Sequence, residues 1–405
     1  MVENKDKKVL NVPNLRFPEF EGEWEEHGLS EFLDFKNGLN PKPEKFGKGI
    51  KFISVMDILN NTIITYDSIK ACVDANNKEI DNYSVKMGDL LFQRSSETLE
   101  DVGRANVYMD EKPAIFGGFV IRGKKKGEYN PLFFKNLLET PFSRRKIIPM
   151  GAGAQHFNIG QEGLSKVKLY FAPINEQNKI AKILSLLDDR ISTQNKVIDK
   201  LQSLIKGINQ YVFTNSGVIY KLGELCEIRS GYSGNQISSK KGLKVSRIET
   251  ISGHKVNMER IGYVAPFDPS ENYRLRIGDI LFSNINSVEY IGNTAFIDKD
   301  YDLYHGMNLL RLSPNDKVVM PFYLYLLLNT NRMLNHFKTI CNKAVSQASI
   351  NQTELGKIVI QLPDINAQKQ ICELYQLLYA KLESVIYTNT LFQSQKQYLL
   401  RQMFI

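Results

Sequence analysis

The sequence predicts an α+β fold: two mixed α/β domains in pseudo-twofold tandem repeat, separated by two long helices that pair as an antiparallel coiled coil. Three observations predict it. The same short motifs return in the same order after about 190 residues. In each half they sit among short β-like runs broken by Gly, Pro and Asn. Each half then closes on one unbroken amphipathic stretch. A chain of 405 residues is also too long for one ordinary core.

The repeat is read motif by motif. Met87-Gly-Asp-Leu-Leu-Phe92 returns as Ile277-Gly-Asp-Ile-Leu-Phe282, and Val102-Gly103 with Val107-Tyr108 returns as Ile291-Gly292 with Phe296-Ile297. Asn130-Pro131 before an apolar run returns as Met320-Pro321, and Pro173-Ile-Asn-Glu-Gln177 returns as Asp364-Ile-Asn-Ala-Gln368. The offsets stay between 189 and 191 while the residues between the motifs are nearly unrelated. One scaffold therefore carries two different surfaces. Ile50 to Val55, Asp89 to Gln93 and Lys166 to Phe171 read as strands of the first copy.

The first helix is expected from about Asn175 to Phe213, with Asn175 as N-cap, Glu176 favoured by the positive end of the dipole, and Asn215 to Gly217 as the stop. The second runs from about Asn366 to the end of the sequence. Both carry a seven-residue seam. In the first, Leu184, Ile191, Ile198, Ile205 and Val212 are a positions, and Ile180, Leu187, Gln194, Leu201 and Ile208 are d positions. In the second, Tyr375, Leu382, Asn389, Lys396 and Met403 are a positions, and Ile371, Leu378, Val385, Phe392 and Leu399 are d positions. Polar Gln194, Asn389 and Lys396 weaken a dry seam but fix register, which points to the two helices pairing with each other. The division that follows is 1–173 and 217–363 for the globular domains, and 174–216 and 364–405 for the helices.

Composition is that of a soluble globular protein, 42% apolar and 24% charged. No apolar run approaches the roughly 20 residues that span a bilayer, and the Lys-rich stretch Met1 to Leu10 lacks the apolar core of a signal peptide, so a cytoplasmic protein is expected. Cys72, Cys226, Cys341 and Cys372 are far apart in sequence, with neither zinc-ligand nor disulfide-framework spacing. The net charge of +8 is concentrated in runs: Arg122, Lys124, Lys125 and Lys126; Arg144, Arg145 and Lys146; Lys240, Lys241, Lys244 and Arg247. Basic runs in both halves favour a nucleic-acid partner.

Catalytic signatures are missing. No phosphate-loop pattern occurs, and Gly151-Ala-Gly153 has no third glycine at dinucleotide spacing, so it reads as a turn. Asn130-Pro131-Leu132-Phe133 has a faint likeness to the base-holding motif of amino-methyltransferases. The duplicate argues against that role, because Met320 replaces the asparagine while Pro321 stays. A proline opening a helix accounts for both copies. His27, His156, His254, His305 and His336 have no metal-ligand spacing and no nucleophile partner.

Taken together, these residues resemble the Type I restriction-modification specificity subunit. The resemblance rests on the repeated Gly-Asp-[Leu/Ile]-Leu-Phe strand, on Gly151-Ala-Gly-Ala-Gln155-His-Phe-Asn158-Ile159 with its partner Val345-Ser-Gln347-Ala-Ser-Ile350, and on the Pro-x-x-Glu-Gln type start of each helix. The second copy departs from the pattern at Asn342-Lys-Ala-Val-Ser and at Ala367-Gln368. The resemblance implies two target-recognition domains, each reading half of a bipartite, asymmetric double-stranded DNA site, with the helices as spacer. It also implies two modification subunits that bind S-adenosylmethionine and methylate adenine, and restriction subunits that use ATP and Mg. On this reading the chain itself holds no cofactor and no catalytic residue.

Phosphate contacts give affinity, and contacts to base edges give sequence. Lys48, Lys51, Arg104, Lys244 and Arg247 are candidate phosphate contacts. Gln93 and Arg94, and in the second copy Ser283, Asn284 and Asn286, follow the repeated strand and are candidate base contacts, since Arg suits guanine and Asn or Gln suits adenine. Gln155 and Gln347 recur in both halves, which favours a shared structural or backbone-contacting role. A rigid helical spacer would set the unread gap: four extra residues in one helix add about 6 Å, close to two base pairs at roughly 3.4 Å each. Two rivals stay open, a coiled-coil scaffold that binds only proteins and the DNA-recognition part of a methyltransferase.

Overall fold

The computed structural model describes residues 11–213, 217–343 and 347–405. Met1 to Leu10, Asn215 and Ser216 of the expected helix stop, and Ala344, Val345 and Ser346 of the second loop motif lie outside the described residues.

The chain forms two compact units. The first holds residues 1–196 and 386–405, and the second holds 197–385. Each unit therefore takes a stretch of both long helices. The physical reason is burial. Ile180, Leu184, Leu399 and Met403 join the core of the first unit, while Ile205, Cys372 and Tyr375 join that of the second.

In the first unit, strands Leu33–Asn37, Val120–Lys125, Leu90–Gln93 and Ala105–Val107 lie side by side in that order, all antiparallel. The second unit repeats the sheet with Cys226–Ser230, Leu310–Pro314, Ile280–Phe282 and Thr294–Phe296. The Gly-Asp motif opens the inner strand in both. Gly88 and Gly278 have φ of 90° and 95°, where a side chain is strained. The buried Asp89 carboxylate accepts from the N–H groups of Lys86 and Lys125 at 3.0 and 2.9 Å. Asp279 accepts from Arg276 N–H at 2.8 Å and from Ser313 Oγ at 2.6 Å.

Pro131 and Pro321 each open a helix, Pro131–Glu139 and Pro321–Leu328. Asn130 caps the first, its side chain accepting from Leu132 and Phe133 N–H, which is a structural use of the Asn-Pro pair. The long helices run Ile174–Val212 and Ile365–Gln402. Asn175 is inside the first turn rather than the cap, because Gln177 N–H bonds back to Pro173 O at 3.0 Å. Asp364 holds the equivalent place in the second copy, its side chain accepting from Asn366 and Ala367 N–H. Gln177 and Gln368 then do the same work: each accepts a hydrogen bond at 2.9 Å from the residue before the helix-opening proline, Asn130 or Met320. Glu176 is fully buried and holds Arg16 through two hydrogen bonds of 2.8 Å.

Seam residues Leu184, Leu187, Ile191, Ile198, Leu201, Leu378, Leu382, Phe392 and Leu399 are all buried or half-buried. Within the first unit Asn389 donates to Asn195 at 2.9 Å and Lys396 to Asp188 at 2.6 Å; within the second, the Tyr375 hydroxyl meets Asn209. These contacts share one antiparallel register, seven residues down one helix for seven up the other. Polar a positions of the distal helix meet e positions of the central helix.

Candidate nucleic-acid interface

The end of the inner strand is where the two copies differ while their main chains agree. In the first unit Gln93 N–H donates to Arg104 O and Gly103 N–H to Gln93 O; in the second, Ser283 N–H donates to Asn293 O and Gly292 N–H to Ser283 O. One residue on, Arg94 O accepts from Ile159 N–H and Asn284 O accepts from Ile350 N–H, both at 2.9 Å. A hairpin-like pairing follows, Ser95–Ser96 with Phe157–Asn158, and Ile285–Asn286 with Ala348–Ser349. Each unit thus brings the strand end together with the loop that carries Gln155 or Gln347, and both glutamine side chains are exposed.

Gly153 shapes the first loop. Its φ is 144°, and an added Cβ would lie 2.0 Å from His156 O, so Gly151-Ala-Gly153 is a turn element.

The candidate base contacts divide. Gln93 is only 4% exposed, and its amide donates to Ser95 O at 2.9 Å, so it shapes the loop. The strand Leu90–Gln93 is buried on both faces, which alternation along a strand does not reveal. Ser283 is likewise fully buried. Arg94 is half-exposed, with its guanidinium 3.4 Å from Gly118 O and no ion pair among the described residues. Asn284 is half-buried, and its Oδ1 has no hydrogen-bond partner among the described residues. Asn286 is engaged locally, donating to Ser283 Oγ at 3.1 Å and accepting from Ser287 N–H at 2.8 Å.

The candidate phosphate contacts are more scattered. Lys51 is half-buried, donating to Ile69 O at 2.6 Å, with its ammonium 5.8 Å from the Tyr66 ring centroid. Lys48 is well exposed beside Asp74 at 3.5 Å. Arg104 pairs with Asp101 at 2.7 Å, Lys244 with Asp302 at 3.2 Å, and Arg247 with Glu249 at 3.4 Å. Exposed pairs of this kind are weak and can exchange a carboxylate for a phosphate.

Members of two of the three basic runs are structural. Arg122 donates to Ser84 O, and Lys125 to Tyr129 O at 3.0 Å. Arg144 donates to the carbonyls of Glu100 and Val102 at 2.7 Å each, and burial pushes its guanidinium down to about 10. Arg311 occupies the strand position of Arg122 in the second copy and donates to Arg274 O at 3.1 Å. Burial lowers the pKa of both. Lys124, Lys240 and Lys241 are exposed.

The model of the Type I restriction modification DNA specificity domain matches residues 21–203 and again 217–388. The chain belongs to this specificity family. Over 150 residues it is 46% identical to a protein of Methanocaldococcus jannaschii described as the type I restriction enzyme MjaX specificity subunit, a match covering 36% of this chain and 35% of that relative. The MjaVIII specificity subunit of the same organism is 25% identical, with 91% of this chain and 88% of the relative covered. The S subunit of a Type I restriction-modification system from M. genitalium shares the fold, with a TM-score of 0.62, 15% identity, and 97% and 99% of the two chains covered. The tandem match agrees with the internal repeat. Among the described residues no helix is long and apolar enough to cross a membrane, and no group of His, Cys, Asp and Glu could hold a metal ion.

Proposed function

We propose that the two strand-end loop clusters read the two halves of a bipartite, asymmetric double-stranded DNA site, and that the chain thereby directs adenine methylation and restriction by partner subunits. The supporting observation is one main-chain frame that displays different side chains in its two copies, Arg94 with Gln155 in one and Asn284 with Gln347 in the other. Arg suits guanine and Asn suits adenine, so equal frames with unequal side chains suit unequal half-sites. Exposed lysines such as Lys48 in the first unit and Lys240 and Lys241 in the second supply the phosphate contacts that fix position.

In this reading the chain acts in the cytoplasm in a complex with two modification subunits, which dock on the helices and bind S-adenosylmethionine, and with restriction subunits that use ATP and Mg. It contributes no catalytic group.

Co-expression with a cognate modification subunit, followed by single-molecule sequencing for methyladenine, tests the proposal. A new two-part motif that vanishes when this chain is omitted is the expected result. A stable complex that produces no motif would contradict it and favour a protein-only scaffold.

A further inference from the structure

A second element reaches the same edge as the strand-end loops, and no repeated sequence motif marks it. In the first unit the tight turn Gly117-Gly118-Phe119 leads into the strand Val120–Lys125. Its geometry is fixed from several sides: Gly117 N–H donates to Ile53 O at 2.9 Å, Val120 N–H to Gly117 O at 2.8 Å, and Arg94 N–H to Phe119 O at 2.9 Å. Gly118 packs against Asn40: a Cβ there would lie 1.8 Å from Asn40 Oδ1, so a larger residue would displace that exposed side chain. Phe119 crowns this rigid turn and is 68% exposed, beside the Arg94 guanidinium.

The second unit repeats the close glycine pair and the strand register at this place. Gly117 touches the strand-end glycine Gly38, and Gly306 touches Gly231; a Cβ on Gly38 or Gly231 would lie 2.0 or 1.9 Å from the carbonyl oxygen of its partner. Sheet register places Ile121 opposite Phe92 and Leu310 opposite Phe282, so Phe119 and Asn308 are equivalent positions. Asn308 is exposed and has φ of 63°, a conformation rare outside glycine although asparagine tolerates it best.

We propose that this turn is a base-reading element in each unit: Phe119 by apolar contact with base surface, Asn308 by hydrogen bonding to a base edge. The inference rests on the DNA-reading proposal above and adds specificity-determining positions to it. A large exposed aromatic on a turn held this tightly loses little entropy when covered, and an apolar side chain gains nothing from a phosphate. Its fitting surface is a thymine methyl or an unstacked base face. The adjacent Arg94, a proposed base reader, puts both side chains on one edge.

Salt dependence separates base from phosphate contact. Affinity for the cognate duplex is measured against salt for the assembled complex of chain and modification subunits, alongside the methylated motif. Phe119→Ala is expected to weaken binding about tenfold, leave the slope of log affinity against log salt unchanged, and relax one position of one half-site. Lys48→Ala, losing one candidate phosphate contact, lowers that slope by about one unit. Asn308→Gly, which removes the side chain but accepts the positive φ, is expected to relax the other half-site only. Phe119→Leu keeps apolar surface and should retain most of the affinity.

If the wild-type complex yields a bipartite motif that Phe119→Ala and Asn308→Gly leave unchanged, the turn assignment is wrong and the DNA-reading proposal stands. A lowered salt slope for Phe119→Ala also overturns the assignment. A wild-type complex without any motif overturns both.

Discussion

His305 is buried in the second unit beside the Leu309 carbonyl, 3.0 Å from its Nε2, and burial pushes its pKa down to about 4. A histidine whose folded pKa lies below its unfolded value of about 6.5 binds its proton more readily when unfolded, so acid favours unfolding. Its contribution to stability is intact above pH 6.5 and is lost as pH falls toward about 4. Urea unfolding of the second unit should show a loss of about 2 kcal/mol between pH 7 and pH 5. His305→Phe, which installs the residue that the first copy carries as Phe116, should flatten that dependence. A steep dependence persisting in the variant would assign it to other groups. Residue roles were the least legible part of the sequence. Arg122 and Arg144 count toward basic runs that favour a nucleic-acid partner because charge is visible in a sequence, whereas the carbonyls that occupy them come from Ser84, Glu100 and Val102, far along the chain. Gln93 was misplaced for a related reason, since only the assembled sheet buries it.

The helices were far more legible, because a seven-residue repeat needs no long-range information to be seen. Their ends were less so: Pro173 and Asp364, not Asn175, accept the first helical hydrogen bond. The polar seam positions Asn389 and Lys396 proved to be paired, with Asn195 and Asp188. The Lys396–Asp188 pair is mostly buried, with side chains 13% and 17% exposed, so losing one partner strands a charge. Lys396→Met is expected to cost about 2 kcal/mol, and the double variant with Asp188→Leu to recover most of it, as a double-mutant cycle of unfolding free energies would show. Additive losses would mean the pair does not couple. The shared register also refines the spacer prediction, because lengthening one helix alone would put the polar contacts on one side of the insertion out of register. One added heptad in each, after Lys196 and before Ile386, adds about 10 Å, or about three base pairs at roughly 3.4 Å each. Methylome sequencing should show a correspondingly longer unread gap; an unchanged gap would remove the helices as the ruler.

At the scale of the whole molecule, duplication was legible because buried turn glycines and aspartates recur at near-constant spacing, and the fold repeats wherever they do. The surface that differs between copies was only partly legible. Arg94 and Asn284 could be suspected from their place after a repeated strand, but Phe119 and Asn308 follow a glycine whose partner, Gly38 or Gly231, lies about 75 residues away in sequence. The central claim is that each unit reads its own half-site on a common frame. The most direct test replaces residues 217–363 with the corresponding segment of another family member and sequences the methylome of cells that co-express the chimera with modification subunits. The account predicts a motif in which one half-site changes and the other is kept. A motif with both half-sites altered, or no change at all, would contradict it.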